Sequence, residues 1–522
     1  MVVYNLILGT ILNPNPVTHR LQRVSSFRRP LTPLLSLFYA AGSSMASSLC
    51  FLPFLLFALS SASASTSATA DLLHGGEEIE AVGHDLYRDY LRDEAASRLN
   101  ELGKVSDVNG YLERTFLSPA SVRAANIISQ WMEDAGLRTW VDIMGNVHGR
   151  VDGMNASAPA LLMGSHLDTV VDAGKFDGAL GIVSTISALK VLKVTEKLEN
   201  LRNPVEVIAF SDEEGVRFQS TFLGSAAIAG ILPASTLNIS DKSGITLQEV
   251  LNKNAVGVTE DKFIQLKYQP ESVLGYVEVH IEQGPVLESA GIPLGVVKGI
   301  AGQTRLKVTV SGSQGHAGTV PMSMRRDPLA AAAELIVLLE SLCKQPQKFL
   351  SYDDDCSTVE SLFGSLVCTV GEISLWPSAS NVIPGQVTFT VDLRAMDDAG
   401  REAVLYELSA RMYNICDKRS VSCVIERKHD ANAVKCDNEL SLQLQSAALT
   451  AFRKMAGNVD VDVPKLMSGA GHDAMAMAHL TKMGMLFVRC RGGISHSPAE
   501  HVLDDDVWAA GLAVLAFLEN HV

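Results

Sequence analysis

The stretch "VIAFSDEEGVRF", residues 207–218, decides the fold. Its first half is a short apolar run, the composition of a strand buried on both faces. It runs straight into Asp212, Glu213 and Glu214. Taken alone, three adjacent carboxylates read as a solvated acidic turn. Their meaning depends on whether other strands end in the same way.

Three others do. "PALLMG" (159–164) leads into "SHLDT", with His166 and Asp168. "GYVEVHI" (275–281) carries His280 and is followed by Glu282 and Gln283. "GMLFVRC" (484–490) comes just before His496. Asp177, in "GKFDGALG", opens the helical run "DGALGIVSTISALKVLK" (177–193). Apolar strands alternating with helices predict an α/β fold, with a mainly parallel sheet sandwiched by helices. Sites in such sheets form beyond the carboxyl ends of the strands. Each residue has a plainer reading: a hydrogen-bonded histidine, a helix cap for Asp177, a loop residue for His496. Together, three histidines and several carboxylates without cysteine suit two hard or borderline divalent cations.

Upstream, "YRDYLRDEAASRLNELGKV" (87–105) and "SPASVRAANIISQWMEDAG" (118–136) are amphipathic helices, the second opening on a Ser cap and closing at a glycine. "HDAMAMAHLTK" (472–482) is also expected to be helical. Residues 302–412 differ in texture. "TRLKVTVSG", "SLVCTVGEIS" and "VTFTVDLR" alternate apolar and polar residues, as half-exposed antiparallel strands do. Two helices accompany them, at 327–345 and 397–418. The expected organisation is a targeting region (1–70), a catalytic domain in two parts (71–301 and 413–522) and an inserted α+β domain (302–412).

Composition narrows the function. The 522 residues carry a formal net charge of −15, which disfavours a nucleic-acid binder. Eight cysteines show no CxxC spacing, so they read mainly as small buried apolar residues. No GxSxG elbow points to a serine hydrolase. The first 70 residues lack Asp and Glu and hold Arg20, Arg23, Arg28 and Arg29. The apolar run Leu49–Leu59, just after Met45, has the length of a signal-peptide core and is too short to span a bilayer. It predicts the endoplasmic reticulum, with a plastid transit peptide as the alternative; Asn155 and Asn238 lie in sequons compatible with the secretory route.

"GSHLDTV" (164–170), "GKFDG" (174–178), "SDEEG" (211–215), "HIEQGP" (280–285), "GSQGHAGT" (312–319) and "SHSPAE" (495–500) together resemble the aminoacylase/carboxypeptidase clan of two-metal hydrolases. They are most similar to its amidase branch of carbamoyl-amino-acid, ureidoglycolate and allantoate hydrolases, the last above all. That resemblance implies two manganese ions per subunit, with zinc or cobalt as substitutes, and hydrolysis of a small ureido acid. It implies Asp177 as the bridging ligand, His166, His280, Glu214 and His496 as the others, Asp168 behind His166, and Glu213 as the catalytic base. It implies a homodimer in which His316 reaches the partner's active site. Arg394 would grip a substrate carboxylate, with Asn381, Gln303, Gln283 and His472 as polar partners. A metal-binding scaffold without catalysis is the reading of another class, and an intact Glu213 argues against it.

Overall fold

The computed structural model describes residues 86–255, 257–349, 362, 364–457 and 461–521. The signal-like run at 49–59, Met45, Cys50 and Cys356 lie outside the described residues. Among the described residues, no helix is long and apolar enough to cross a membrane.

The strands, in chain order, are β1 (Arg138–Val141), β2 (Val147–Val151), β3 (Ala160–His166), β4 (Val205–Phe210), β5 (Val273–Ile281), β6 (Leu294–Ile300), β7 (Gly302–Ser311) and β8 (Gly315–His316). Then follow β9 (Val367–Thr369), β10 (Ile373–Trp376), β11 (Val382–Ile383), β12 (Gln386–Ala395), β13 (Ser422–Ala431), β14 (Val434–Lys435), β15 (Lys465–Ser468) and β16 (Met483–Val488).

The larger sheet has the order β1-β2-β4-β3-β5-β16-β6-β14, with β15 also on β6. Its centre, β4-β3-β5-β16, is parallel; β1, β2, β6 and β14 pair antiparallel at the flanks. The centre is parallel because β3, β4 and β16 are predominantly apolar and buried at every position, so both faces need a covering layer. Helices Ala179–Val194 and Asp504–Glu519 cover one face and pack on each other. The first is apolar all round and almost wholly buried, as a helix enclosed by sheet and neighbours must be. Helices Leu223–Ala229 and Asp473–Met477 lie on the other face. The helix expected over 472–482 thus ends at Met477.

The second sheet runs β10-β12-β7-β13, with β9 also on β12. The period-two pattern of β7 and β12 sends Leu306, Val308, Val310, Val387, Phe389, Val391 and Leu393 into a separate core. Helices Pro328–Lys344 and Asp398–Lys418 cover that face. The alternate positions Gln303, Arg305, Asp392 and Arg394 face away from those helices. Strand β13 pairs with β7 along its length, so this sheet takes in residues beyond the expected boundary at 412. "SLVCTVGEIS" forms two short strands rather than one.

Four cysteines expected to be merely buried are paired. Cys343–Cys368 and Cys416–Cys423 each span 6.2 Å between Cα atoms, within disulfide range. Each joins a covering helix to a strand of the second sheet. Cys436 and Cys490 are free and buried.

Candidate metal centre and active site

His166 ends β3 and His280 lies near the end of β5, so two neighbouring parallel strands bring their rings together. The Nε2 atoms are 3.4 Å apart. Each ring is fixed through its other nitrogen: His166 Nδ1 meets the Asp168 carbonyl at 3.1 Å, and His280 Nδ1 the Ile281 carbonyl at 2.9 Å. With Nδ1 donating to a carbonyl, each neutral Nε2 is a bare lone pair aimed at the other. Asp177 Oδ1 lies 3.0 Å from His280 Nε2 and 3.6 Å from His166 Nε2, and this buried oxygen accepts no hydrogen bond. Its other oxygen, Oδ2, lies 3.2 Å from His496 Nε2, which is 3.2 Å from Glu214 Oε1.

This arrangement fits divalent cations. Facing lone pairs and an unsatisfied buried carboxylate oxygen repel unless a positive charge joins them. Among the described residues four groups of possible ligands have donor atoms within 4.8 Å of one another: Glu278–His280–His472, His166–Glu213–Glu214, and the two sets built on Asp177, His166–Asp177–His280 and Asp177–Glu214–His496. The last two share Asp177 and draw on separate histidines, so they read as two ligand sets with one common carboxylate. The proton affinities record the same negative field. Burial works against a charged His166, but the carboxylates of Asp177, Glu213 and Asp168 overcome it and raise its pKa well above the usual value. Hydrogen bonding to Asp177 and Glu214 lifts His496 to about 10.

The backbone is bent to make this possible. Gly178 has φ +64°, and a Cβ there would come within 2.6 Å of the His166 ring. Asp212, Gln219, Phe222, Gln283 and His496, all non-glycine, have φ between +54° and +64°. Such conformations are uncommon outside glycine and gather at functional sites. The turn after β4 is held by two side chains. Asp168 accepts the backbone N–H groups of Glu213 at 3.0 Å and Glu214 at 3.2 Å. Its carboxylate is 3.7 Å from His166 Nδ1, so Asp168 positions the acidic turn with its side chain and His166 with its carbonyl. Asn146, not anticipated from sequence, accepts the Ser211 N–H at 2.9 Å and donates to the Gly224 carbonyl at 3.2 Å. Burial, with the charges of Glu214, Asp473 and Asp168, pushes the Glu213 carboxyl well above the usual range against the pull of His166.

These groups line one cavity of about 600 Å³. His166, Asp177, Glu213, Glu214, His280, Gln283 and His496 form one wall; Gln303, Arg305, Arg394 and His429 form the other. Arg394 is fixed: Nε and Nη2 donate to the two Asp392 oxygens at 2.8 and 3.0 Å, and Nη1 to the Gly469 carbonyl at 2.6 Å. Gln303 Nε2 meets His429 Nε2 at 3.1 Å. Arg305 and His429 escaped the sequence reading. The signal for Arg305 was its place two residues from Gln303 on one strand.

Two residues expected as substrate partners, His472 and Asn381, lie outside this cavity. His472 is buried behind the metal wall, its ring edge-on to His280 at 4.4 Å and its Nε2 2.7 Å from Ser468 Oγ; Ala470 and Gly471 line the cavity instead. Burial and the neighbouring histidines hold His472 well below the usual pKa, so it stays neutral. His316 and Asn381 share the small β8–β11 ribbon, where the Ala317 N–H donates to the Asn381 carbonyl at 2.9 Å. Both are exposed and outside the cavity of their own chain. Asn381 therefore belongs with His316 rather than with Arg394 and Gln303.

The profile of Peptidase family M20/M25/M40 matches residues 162–520. The chain belongs to this family. Among curated relatives it is 70% identical over 469 residues to a Glycine max protein named allantoate deiminase 2, covering 90% of this chain and 96% of that one. It is also 70% identical over 447 residues to the allantoate deiminase of Arabidopsis thaliana, covering 85% of each. Among solved structures, an amidase of the hydantoinase/carbamoylase family from Burkholderia multivorans matches with a TM-score of 0.72 at 27% identity, covering 82% of this chain and 97% of that one. The resemblance read from the motifs and the expected α/β fold are both borne out.

Proposed function

We propose that this chain hydrolyses allantoate to ureidoglycine, ammonia and carbon dioxide, using two divalent cations, with manganese as the native ion. The observation that carries this reading is the pairing of walls in one cavity: a shared-carboxylate ligand set faces a fixed guanidinium. The 70% identity to proteins named allantoate deiminase supports the choice of substrate. Cations held by His166, Asp177, His280, Glu214 and His496 would polarise a ureido carbonyl and lower the pKa of water.

The chain's own residues do the rest. Glu213, buried within reach of the same ligand set, takes the proton from water and delivers it to the leaving nitrogen. Arg394 has three of its five N–H groups committed to Asp392 and Gly469, which fixes the plane in which the other two meet a substrate carboxylate. Gln303 and Gln283 offer amide groups matched to a ureido arm. His316 and Asn381, displaced onto one ribbon, are the groups a second copy would supply, which supports a homodimer. Two disulfides and the exposed sequon residues Asn155 and Asn238 support maturation in the endoplasmic reticulum.

The test is ammonia release by purified protein stripped with chelator and reloaded with manganese. Allantoate, ureidoglycolate and N-carbamoyl amino acids are run in parallel. Manganese-dependent release from allantoate alone is expected. Release only from another ureido acid overturns the substrate and leaves the two-cation chemistry standing.

A further inference from the structure

Asp177 has to present both oxygens to two ligand sets at once, and a second carboxylate holds it from behind. Glu500, the last residue of "SHSPAE", is 4% exposed. Its Oε1 accepts the backbone N–H of Phe176 at 2.8 Å and of Asp177 itself at 3.1 Å. Its Oε2 accepts the Ser495 hydroxyl at 3.0 Å. Ser495 Oγ also lies 3.3 Å from Asp177 Oδ2, and Gln283 Nε2 reaches Asp177 Oδ2 at 3.2 Å and Ser495 Oγ at 3.0 Å. One carboxylate thus fixes the Asp177 main chain with one oxygen and, through Ser495, the side of the Asp177 carboxylate with the other.

Room for this was made in the chain. A Cβ at Gly174 would lie 2.2 Å from both Cδ and Oε1 of Glu500, so only glycine at position 174 lets the carboxyl reach the N–H groups. Burying Glu500 beside Asp177 is unfavourable in itself, since like charges repel in a dry environment. The hydrogen bonds offset part of this cost, and cations held by Asp177 would offset more of it.

We propose that Glu500 is the positioning residue of the shared carboxylate: it holds Phe176, Asp177 and Ser495 so that Asp177 serves both ligand sets. Glu500 is not among the residues that line the cavity and acts through Asp177. The inference rests on the two-cation reading of the cavity and is independent of which ureido acid is the substrate.

The experiment measures manganese retained per chain by elemental analysis across a chelator series, for wild type, Glu500→Ala, Glu500→Gln, Ser495→Ala and Gly174→Ala. Melting of each metal-free protein is recorded alongside. Groups that support metal ligands typically change metal affinity by about 10–100-fold. Glu500→Ala is therefore expected to lose metal at roughly tenfold lower chelator. Gly174→Ala is expected to do the same, because it expels the carboxyl without removing it. Glu500→Gln, whose amide oxygen still accepts both N–H groups, should stay within about threefold of wild type on the same reasoning. Ser495→Ala is expected to fall in between.

If Glu500→Ala only melts earlier and keeps wild-type metal affinity, the proposal is overturned. Should Glu500→Ala fail to fold, Gly174→Ala with unchanged affinity overturns it equally. Wild type holding fewer than two ions breaks the two-cation reading instead. Wild type holding two ions but ignoring allantoate breaks only the substrate.

Discussion

On one wall of the cavity, β3, β4 and β5 deliver His166, Glu213, Glu214 and His280 from backbone buried along almost its whole length. On the other, β7 and β12 present Gln303, Arg305 and Arg394 from the open face of a sheet whose side chains are half-exposed. The first wall is held by hydrogen bonds to main chain and by strained φ angles. The second is held by side chains, chiefly the Asp392 carboxylate shared by Arg305 Nε at 3.1 Å and Arg394 Nε at 2.8 Å. A ligand set tolerates little displacement, so it sits on rigid, dry strand ends. A surface that recognises the shape of a substrate can be rewritten one side chain at a time. The comparison predicts that damage to the first wall removes chemistry and damage to the second removes recognition.

The largest effect expected is at Glu213. Glu213→Gln should lower kcat by about 10³-fold, the scale of a lost general base, while elemental analysis still finds two ions per chain. Loss of the ions along with activity would place Glu213 among the ligands and blur the division of labour. Next comes Arg394→Lys. A charge-assisted hydrogen bond is worth roughly 1.5–3 kcal/mol, so KM for allantoate should rise about 10–100-fold with kcat largely kept. Lysine cannot reproduce the bidentate grip. A fall in kcat at unchanged KM would move Arg394 to the chemical side.

The second sheet should also be the region more sensitive to reduction. Closing a 25-residue loop stabilises by roughly 3 kcal/mol in the chain-entropy account. The double variant Cys343→Ser/Cys368→Ser should therefore raise hydrogen exchange in helix Pro328–Lys344 and leave β3, β4 and β5 protected. Equal loosening of both sheets would contradict the separation of their cores.

The smallest effect concerns pH. His148 on β2 is buried, with Nδ1 3.0 Å from Glu206 and Nε2 3.4 Å from Asp142. Burial opposes its charge, but these carboxylates prevail and raise its pKa to about 9. A folded pKa above the unfolded value of about 6.5 means the stabilisation is complete below pH 6.5 and is lost as pH rises through 9. His148→Gln should narrow the Tm gap between pH 6 and pH 10 by a few degrees in calorimetry. An unchanged gap would remove His148 as its source.

The candidate metal wall was legible because His166, Glu214 and His280 lie at or just past the ends of apolar runs, and strand direction does the assembly. Glu500 stood in plain view in "SHSPAE", but its partners Phe176 and Asp177 lie more than 320 positions away, and nothing in local spacing connects them. Strand β13 was missed because "SCVIERKHDA" is a short apolar run followed by a charged one, without the residue alternation that marks a strand. His472 and Asn381 were misplaced for a related reason: both sit in glycine- or serine-rich loops whose path is set by packing, not by local pattern. The disulfides also escaped, since Cys343 and Cys368 meet only once a helix has folded over its sheet.

The most direct test is a crystal structure of the Glu213→Gln protein loaded with manganese and allantoate, with the ions located by anomalous scattering. Two anomalous peaks on either side of the Asp177 carboxylate, with the substrate carboxylate on Arg394, are the expected result. A single ion, or a substrate carboxylate turned away from Arg394, would contradict the account of two walls acting on one ureido acid.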